Sequence, residues 1–202
     1  MSKEILQDII DDFSPEKFIR FFRQKNHSFT PLQESIDYYN DEDFSDGKKL
    51  GEIAFTPGEK LTVCSFKVNK DLTERSGKKA QYEKGRKILK EIQADAGIFV
   101  FYDSEGNFRF SLIYQIPKGT KRDWNNFKRF TYFINPLSTY KTFIQRIGDG
   151  DFSTLEKIKD AFSLEPVTKQ FYEELQNWYF WAMDEIEFPD DEDKDRENRN
   201  AK

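Results

Sequence analysis

The sequence predicts an α/β (α+β) fold: a central mixed sheet of about four to five strands flanked by helices, with a C-terminal helical extension. Two observations carry this reading. Apolar and aromatic runs of strand length occur in pairs around turn residues, and the pairs alternate with stretches of helical spacing, giving helix, two strands, helix, two strands. A chain of 202 residues also suits one domain with a sizeable core, to which 21 phenylalanines contribute much of the volume.

The first helix is "DDFSPEKFIRFFRQKN", with Ser14 as N-cap, Pro15 at the first helical position and Phe18, Ile19, Phe21 and Phe22 on its apolar side. "QESIDYYNDEDFSDGKK" is acidic and turn-rich, so it is expected to be an exposed loop ahead of the sheet. "LGEIAF" and "LTVCSFKV" flank "TPGEK", where Pro57 and Gly58 suit a tight turn, and together they read as a hairpin. If Phe55 pairs with Lys60, Glu52 stands opposite Val63 and shares a face with Ser65 and Lys67. The basic stretch from Lys78 to Gln93 follows as a helix. "AGIFVFYD" and "FRFSLIYQI" then form a second hairpin around "SEGN", and the apolar run of the first implies burial on both faces.

Beyond Pro117, "RFTYFI" reads as one more short strand. "STYKTFIQRIG" and "DFSTLEKIKDAFS" carry helical spacing, the second capped by Asp151 or Ser153. "VTKQFYEELQNWYFWAMDEI" is the longest helix, and its aromatic stripe is expected to dock on the body. After Pro189 the chain is too polar to offset the entropy of ordering. The expected organisation is an N-terminal helix and acidic loop (1–47), an α/β core (48–135), helices packing on it (136–188) and an acidic tail or linker (189–202).

The net charge of −5 resides in residues 184–202, which hold nine acids and four bases; the remaining chain is balanced, with 28 of each. A balanced body still binds polyanions if its bases cluster, because the local field outweighs the sum. One cysteine, Cys64, and one histidine, His27, exclude a disulfide and the usual zinc spacings. No segment approaches the roughly 18 apolar residues of a membrane span, and the N-terminus lacks a secretory pattern, so a cytoplasmic location without a membrane partner is expected. There is no Gly-rich phosphate loop, and Asn135-Pro136-Leu137 lacks the second proline and the aromatic of an amino-methyltransferase motif.

Phosphodiester cleavage needs one or two hard divalent cations held by carboxylates, and a lysine that orients water or offsets charge developing on phosphorus. An acid on one strand followed by acid-any-lysine on the next supplies this. Here Glu52 or Glu59 is the first acid, and Ser65-Phe66-Lys67 carries a serine, a weak Mg²⁺ ligand, in the second acidic position. The plainer reading is a cross-strand ion pair between Glu52 and Lys67. Between residues 75 and 90 lie seven bases, Arg75, Lys78, Lys79, Lys84, Arg86, Lys87 and Lys90, with Gln81 and Tyr82 among them. "KGTKRDWNNFKRF" adds Lys118, Lys121, Arg122, Lys128 and Arg129 around Trp124 and Phe127, an alternation that suits phosphate contacts and stacking. For each stretch alone, a solvated helix face or core aromatics are the bland alternative.

The phrases "DLTERSGKKAQYEKGRKIL", "ADAGIFVFYDSEGNFRFSLIY", "KRFTYFINP", "KTFIQRIG" and "AFSLEPVTKQFYEELQNWYFWA" together resemble the N-terminal region of large bacterial type IIG restriction-modification enzymes. In these, one polypeptide joins nuclease and adenine methyltransferase activities. The resemblance spans roughly residues 48 to 200. It implies a PD-(D/E)XK nuclease-type core, a role in phage defence, double-stranded DNA as substrate, Mg²⁺ as cofactor, and a methyltransferase domain or subunit as partner. Lys67 matches the family's lysine and Ser65 departs from its acid. Pro57-Gly58 stands where aspartate-glycine is usual, and Gln81 resembles the glutamine that supports such sites. The ending "DDEDKDRENRNAK" resembles the approach to a following helix, so the chain is expected to be a fragment or a short version.

Three functions follow from these expectations. The first is Mg²⁺-dependent hydrolysis of duplex DNA, with Glu52 or Glu59 (and Ser65) at the metal, Lys67 and Gln81 supporting it, and Arg75, Lys78, Lys79, Lys84, Lys121, Arg122 and Lys128 on the DNA. The second is a catalytically inactive DNA-binding or scaffolding module on the same fold. The third is a soluble interaction protein that mimics or binds the longer enzyme. Fold analogy serves the first two equally, so the site has to separate them.

Overall fold

A computed structural model of the chain describes residues 1–56, 58–118, 121–163 and 165–185, with residues 118, 121, 122, 165–168 and 170 described by backbone alone. It contains two compact units, Met1–Ser163 and Leu164–Lys202. The first is a mixed α/β body. A helix α1 (Ser2–Asp11) and a helix α2 (Lys17–Lys25) lead into strand β1 (Phe29–Ser35), a 3-10 turn (Asp37–Tyr39) and the long strands β2 (Phe44–Ala54) and β3 (Lys60–Val68). The basic helix α3 (Lys78–Glu91) crosses to β4 (Ala96–Tyr102), and β5 (Phe108–Lys118), β6 (Lys121–Trp124) and β7 (Thr131–Ile134) complete the sheet before α4 (Lys141–Asp149) and α5 (Leu155–Phe162).

The sheet has seven strands in the order β1-β2-β3-β4-β5-β6, with β7 also on β5. Only β3 and β4 run parallel, as a strand-helix-strand crossover requires; the other pairs are antiparallel. β4 is buried at every residue, as its continuous apolar run predicts. Two layers of helices account for this burial. On one face, Phe18 and Phe22 of α2 meet Phe110 of β5, and Phe143 of α4 and Phe162 of α5 meet the same ring. On the other, Ile88 and Leu89 of α3 pack with Cys64, Phe66, Phe99, Phe101 and Ile113. Gly85 lets α3 sit close: a Cβ there would lie 2.5 Å from Ile113 Cδ1 and 2.9 Å from Phe99 Cε2.

Several boundaries differ from expectation. α1 precedes the expected first helix, burying Ile5, Leu6, Ile9 and Ile10. α2 starts at Lys17, after a turn in which Lys17 N–H donates to the Ser14 carbonyl. The acidic stretch is no simple loop: its ends belong to β1 and β2, so the sheet begins well before residue 48. α5 is capped by Thr154, whose Oγ1 accepts from Lys157 N–H at 3.3 Å. In the second unit, α6 (Glu165–Glu185) exposes Phe171, Tyr172, Trp178, Tyr179, Phe180 and Trp181. These rings spread over more than half the helix circumference, so no single face could cover them all.

Candidate nucleic-acid interface

The register of the β2-β3 hairpin decides what can meet Lys67. The turn is closed by Phe55 N–H donating to the Glu59 carbonyl at 2.8 Å, and Ala54, not Phe55, pairs with Lys60. Glu52 is therefore opposite Thr62, one residue from the expected register, and this single slip moves its side chain to the face opposite Lys67. There it forms an ion pair of 2.9 Å with Lys49. Glu59 lies in the hairpin turn, eight residues from Lys67, a strand distance of about 26 Å. Neither glutamate shares a site with Lys67. Ser65 is fully buried and its hydroxyl has no hydrogen-bond partner.

Lys67 instead stands in one cross-strand row with Ser45 and Tyr102. Beside Ser45, a bulge turns Asp46 into left-handed backbone, φ 48°, and its carboxylate accepts the Tyr102 hydroxyl and pairs with Lys48 at 3.2 Å. Lys48, opposite Ser65, reaches Glu16 at the start of α2 at 2.8 Å. Burial raises the Glu16 carboxyl, but hydrogen bonds from Lys48 and Ser14 outweigh it and hold the group below its ordinary value. Burial, reinforced by Asp46, pushes the Tyr102 phenol up. Lys67 itself is half-buried and makes no ion pair among the described residues.

This donor set does not fit Mg²⁺ as the sequence anticipates. The named ligands Glu52, Glu59 and Ser65 lie apart, and the two carboxylates on the lysine's face, Asp46 and Glu16, are already held by Lys48 and Tyr102. Among the described residues no three His, Cys, Asp or Glu side chains converge into a metal-holding group. Gln81 is 2 % exposed on α3, against the opposite face of the sheet from Lys67, with its carbonyl oxygen unpartnered.

The two basic stretches, far apart in sequence, are brought together. Tyr82 of α3 donates its hydroxyl to the Asn125 carbonyl at 2.8 Å and its ring lies 5.8 Å from Phe127. Asn125 is itself fixed to β5, its Nδ2 donating to Leu112 O at 2.9 Å and its Oδ1 accepting Tyr114 N–H at 3.0 Å. Burial first, then the charges of Arg109 and Lys128, hold the Lys78 ammonium below its ordinary range. Arg109 is 1 % exposed and grips the loop leading into α3, donating from Nη2 to Thr73 O at 2.7 Å and Ser76 O at 3.0 Å. Burial brings its own pKa down to about 10. Asp103 holds the same loop through Leu72 N–H at 2.9 Å.

Arg75, Lys79, Lys87, Lys90 and Lys128 are exposed on this surface and make no ion pair among the described residues. Lys84 is a correction: it is paired with Asp41 and lies 5.3 Å from the Phe44 ring centroid, which makes it a structural residue. Lys121 and Arg122 lie on β6, and their side chains are outside the described residues. Sequence reasoning missed Asp46, Glu16, Arg109 and Asn125. The dipeptide Asp46-Gly47 signalled a break in β2, whereas nothing local marks a buried arginine. No family model, no curated protein and no solved structure matches the chain. Among the described residues no helix is long and apolar enough to cross a membrane.

Proposed function

We propose that the body, Met1–Ser163, is a double-stranded-DNA-binding module of the PD-(D/E)XK nuclease type whose carboxylates are not assembled for metal-dependent cleavage. The observation that carries this is the joining of the two basic stretches through Tyr82, Asn125 and Phe127. It brings the charge of Lys128 to bear on Lys78 in a body whose net charge is only +2, with 27 bases against 25 acids. Paired surface cations hold little; unpaired ones gathered on one face release counterions when they meet phosphates.

Fluorescence anisotropy with a mixed-sequence duplex tests the reading. Six bases, Arg75, Lys78, Lys79, Lys87, Lys90 and Lys128, give a salt slope of log K of roughly −4 to −5 if most reach phosphates. Lys79→Glu and Lys128→Glu should each weaken binding and flatten that slope by about 1. Binding without salt dependence, or none at low salt, removes the reading. Incubation of the same duplex with Mg²⁺ or Mn²⁺ supplies the other arm. Wild-type cleavage abolished by Lys67→Ala would replace the binding module with an active nuclease, whereas no cleavage is the expected result.

A further inference from the structure

The geometry points to a pocket for a single unpaired nucleobase at the C-terminal end of α3. The inference rests on the DNA-binding reading and names a substrate feature that the basic surface alone would not select. A cleft of about 560 Å³ is lined by Leu89, Lys90, Gln93, Asp95, Gln115 and Trp124. Trp124 is half-buried, packed against the core that holds α3 and still open to the cleft, so its ring offers a stacking surface. Gln115 is its direct cross-strand partner, which fixes the floor beside the ring. Its amide is anchored on Ala94 O at 3.2 Å.

Gln93 supplies the hydrogen-bonding edge. It occupies left-handed backbone, φ 54°, directly after α3, where glycine or asparagine is the usual residue. A side chain kept at that conformational cost carries both an amide donor and a carbonyl acceptor to the cleft. This is the pairing that a base edge requires. Lys90, one turn earlier and exposed, stands at the rim where the flanking phosphate would lie. The ring, the Gln93 amide and the rim cation together suit a planar heteroaromatic group joined to a phosphate. A fully paired duplex, whose bases stay stacked, would leave the cleft unused.

The experiment compares a hairpin duplex with the same duplex carrying one bulged thymidine, using anisotropy at fixed salt. Wild type should prefer the bulged duplex by about tenfold, the scale of one base stacked on an aromatic ring. Trp124→Ala, checked by circular dichroism for a retained fold because the ring also packs on the core, should lose the preference while its affinity for the paired duplex stays within about twofold. Gln93→Gly, which suits the backbone and keeps the fold, should lose part of it. Equal binding of both duplexes by wild type, or a preference that survives in Trp124→Ala, overturns the pocket. A second measurement separates its failure from that of DNA binding. In a Trp178→Phe/Trp181→Phe background Trp124 is the only tryptophan, and titration with thymidine monophosphate should quench its fluorescence saturably. Absence of quenching overturns the pocket whether or not duplex DNA binds; quenching without duplex binding overturns only the basic surface.

Discussion

Ser65 is a polar side chain placed where the sheet offers it nothing to bond. Its hydroxyl is buried without a partner, so the site is charged for desolvation and receives no hydrogen bond in return. Ser65→Ala should therefore leave stability unchanged or raise it by up to about 1 kcal/mol in urea unfolding. A fall of similar size would mean that the hydroxyl has a partner in solution. Arg109 differs: it is a buried cation whose Nη2 donates to the loop carbonyls of Thr73 and Ser76, although its Nε has no partner. Arg109→Met keeps volume but removes those bonds, and it should cost on the order of 2–3 kcal/mol. It should also weaken duplex binding, because the loop carrying Arg75 and leading to Lys78 loses its anchor. Unchanged DNA affinity in a destabilised Arg109→Met would confine the residue to stability.

At the scale of elements, the seat of α3 on the sheet governs whether the basic surface exists. Gly85→Ala gains about 1 kcal/mol of helix propensity, but its methyl would press on Phe99 and Ile113, and overpacking a buried contact costs about 1–3 kcal/mol. The rigid Phe99 ring tips the balance, so a lowered melting temperature is expected, and a raised one would show that α3 sits less tightly. Helix and strand types here were largely legible: the β2-β3 hairpin, α3, β4, β5 and β7 follow from apolar spacing and turn residues. What stayed hidden is register. One-residue bulges at Ser45–Lys48 and Lys49–Gly51, the first held by Asp46 on Tyr102 and Lys48, and a one-residue slip at the turn together decide which side chains meet Lys67. The sequence pointed to Lys67 and the basic helix, but its acids Glu52 and Glu59 belonged to a register that the chain does not adopt.

For the whole molecule, the placement of charge matters more than its sum. Residues 1–183 balance 28 acids against 28 bases, yet α3 and the segment at 124–129 concentrate cations, while residues 184–202 carry the entire −5. A flexibly or rigidly held negative segment acts on an approaching polyanion through its field, wherever it sits within about a Debye length of the complex, roughly 10 Å at 0.1 M salt. Removing residues 184–202 takes away that like-charge repulsion without touching any base of the proposed surface. Duplex affinity of the truncated chain should exceed that of the full chain at 50 mM salt, chiefly through faster association. The two should converge as salt rises to about 0.3 M, where screening shortens the field to a few ångströms. A gain that persists undiminished at high salt would point to steric competition by the tail for the basic surface, and no gain at low salt would place the tail's charge beyond reach of the bound duplex.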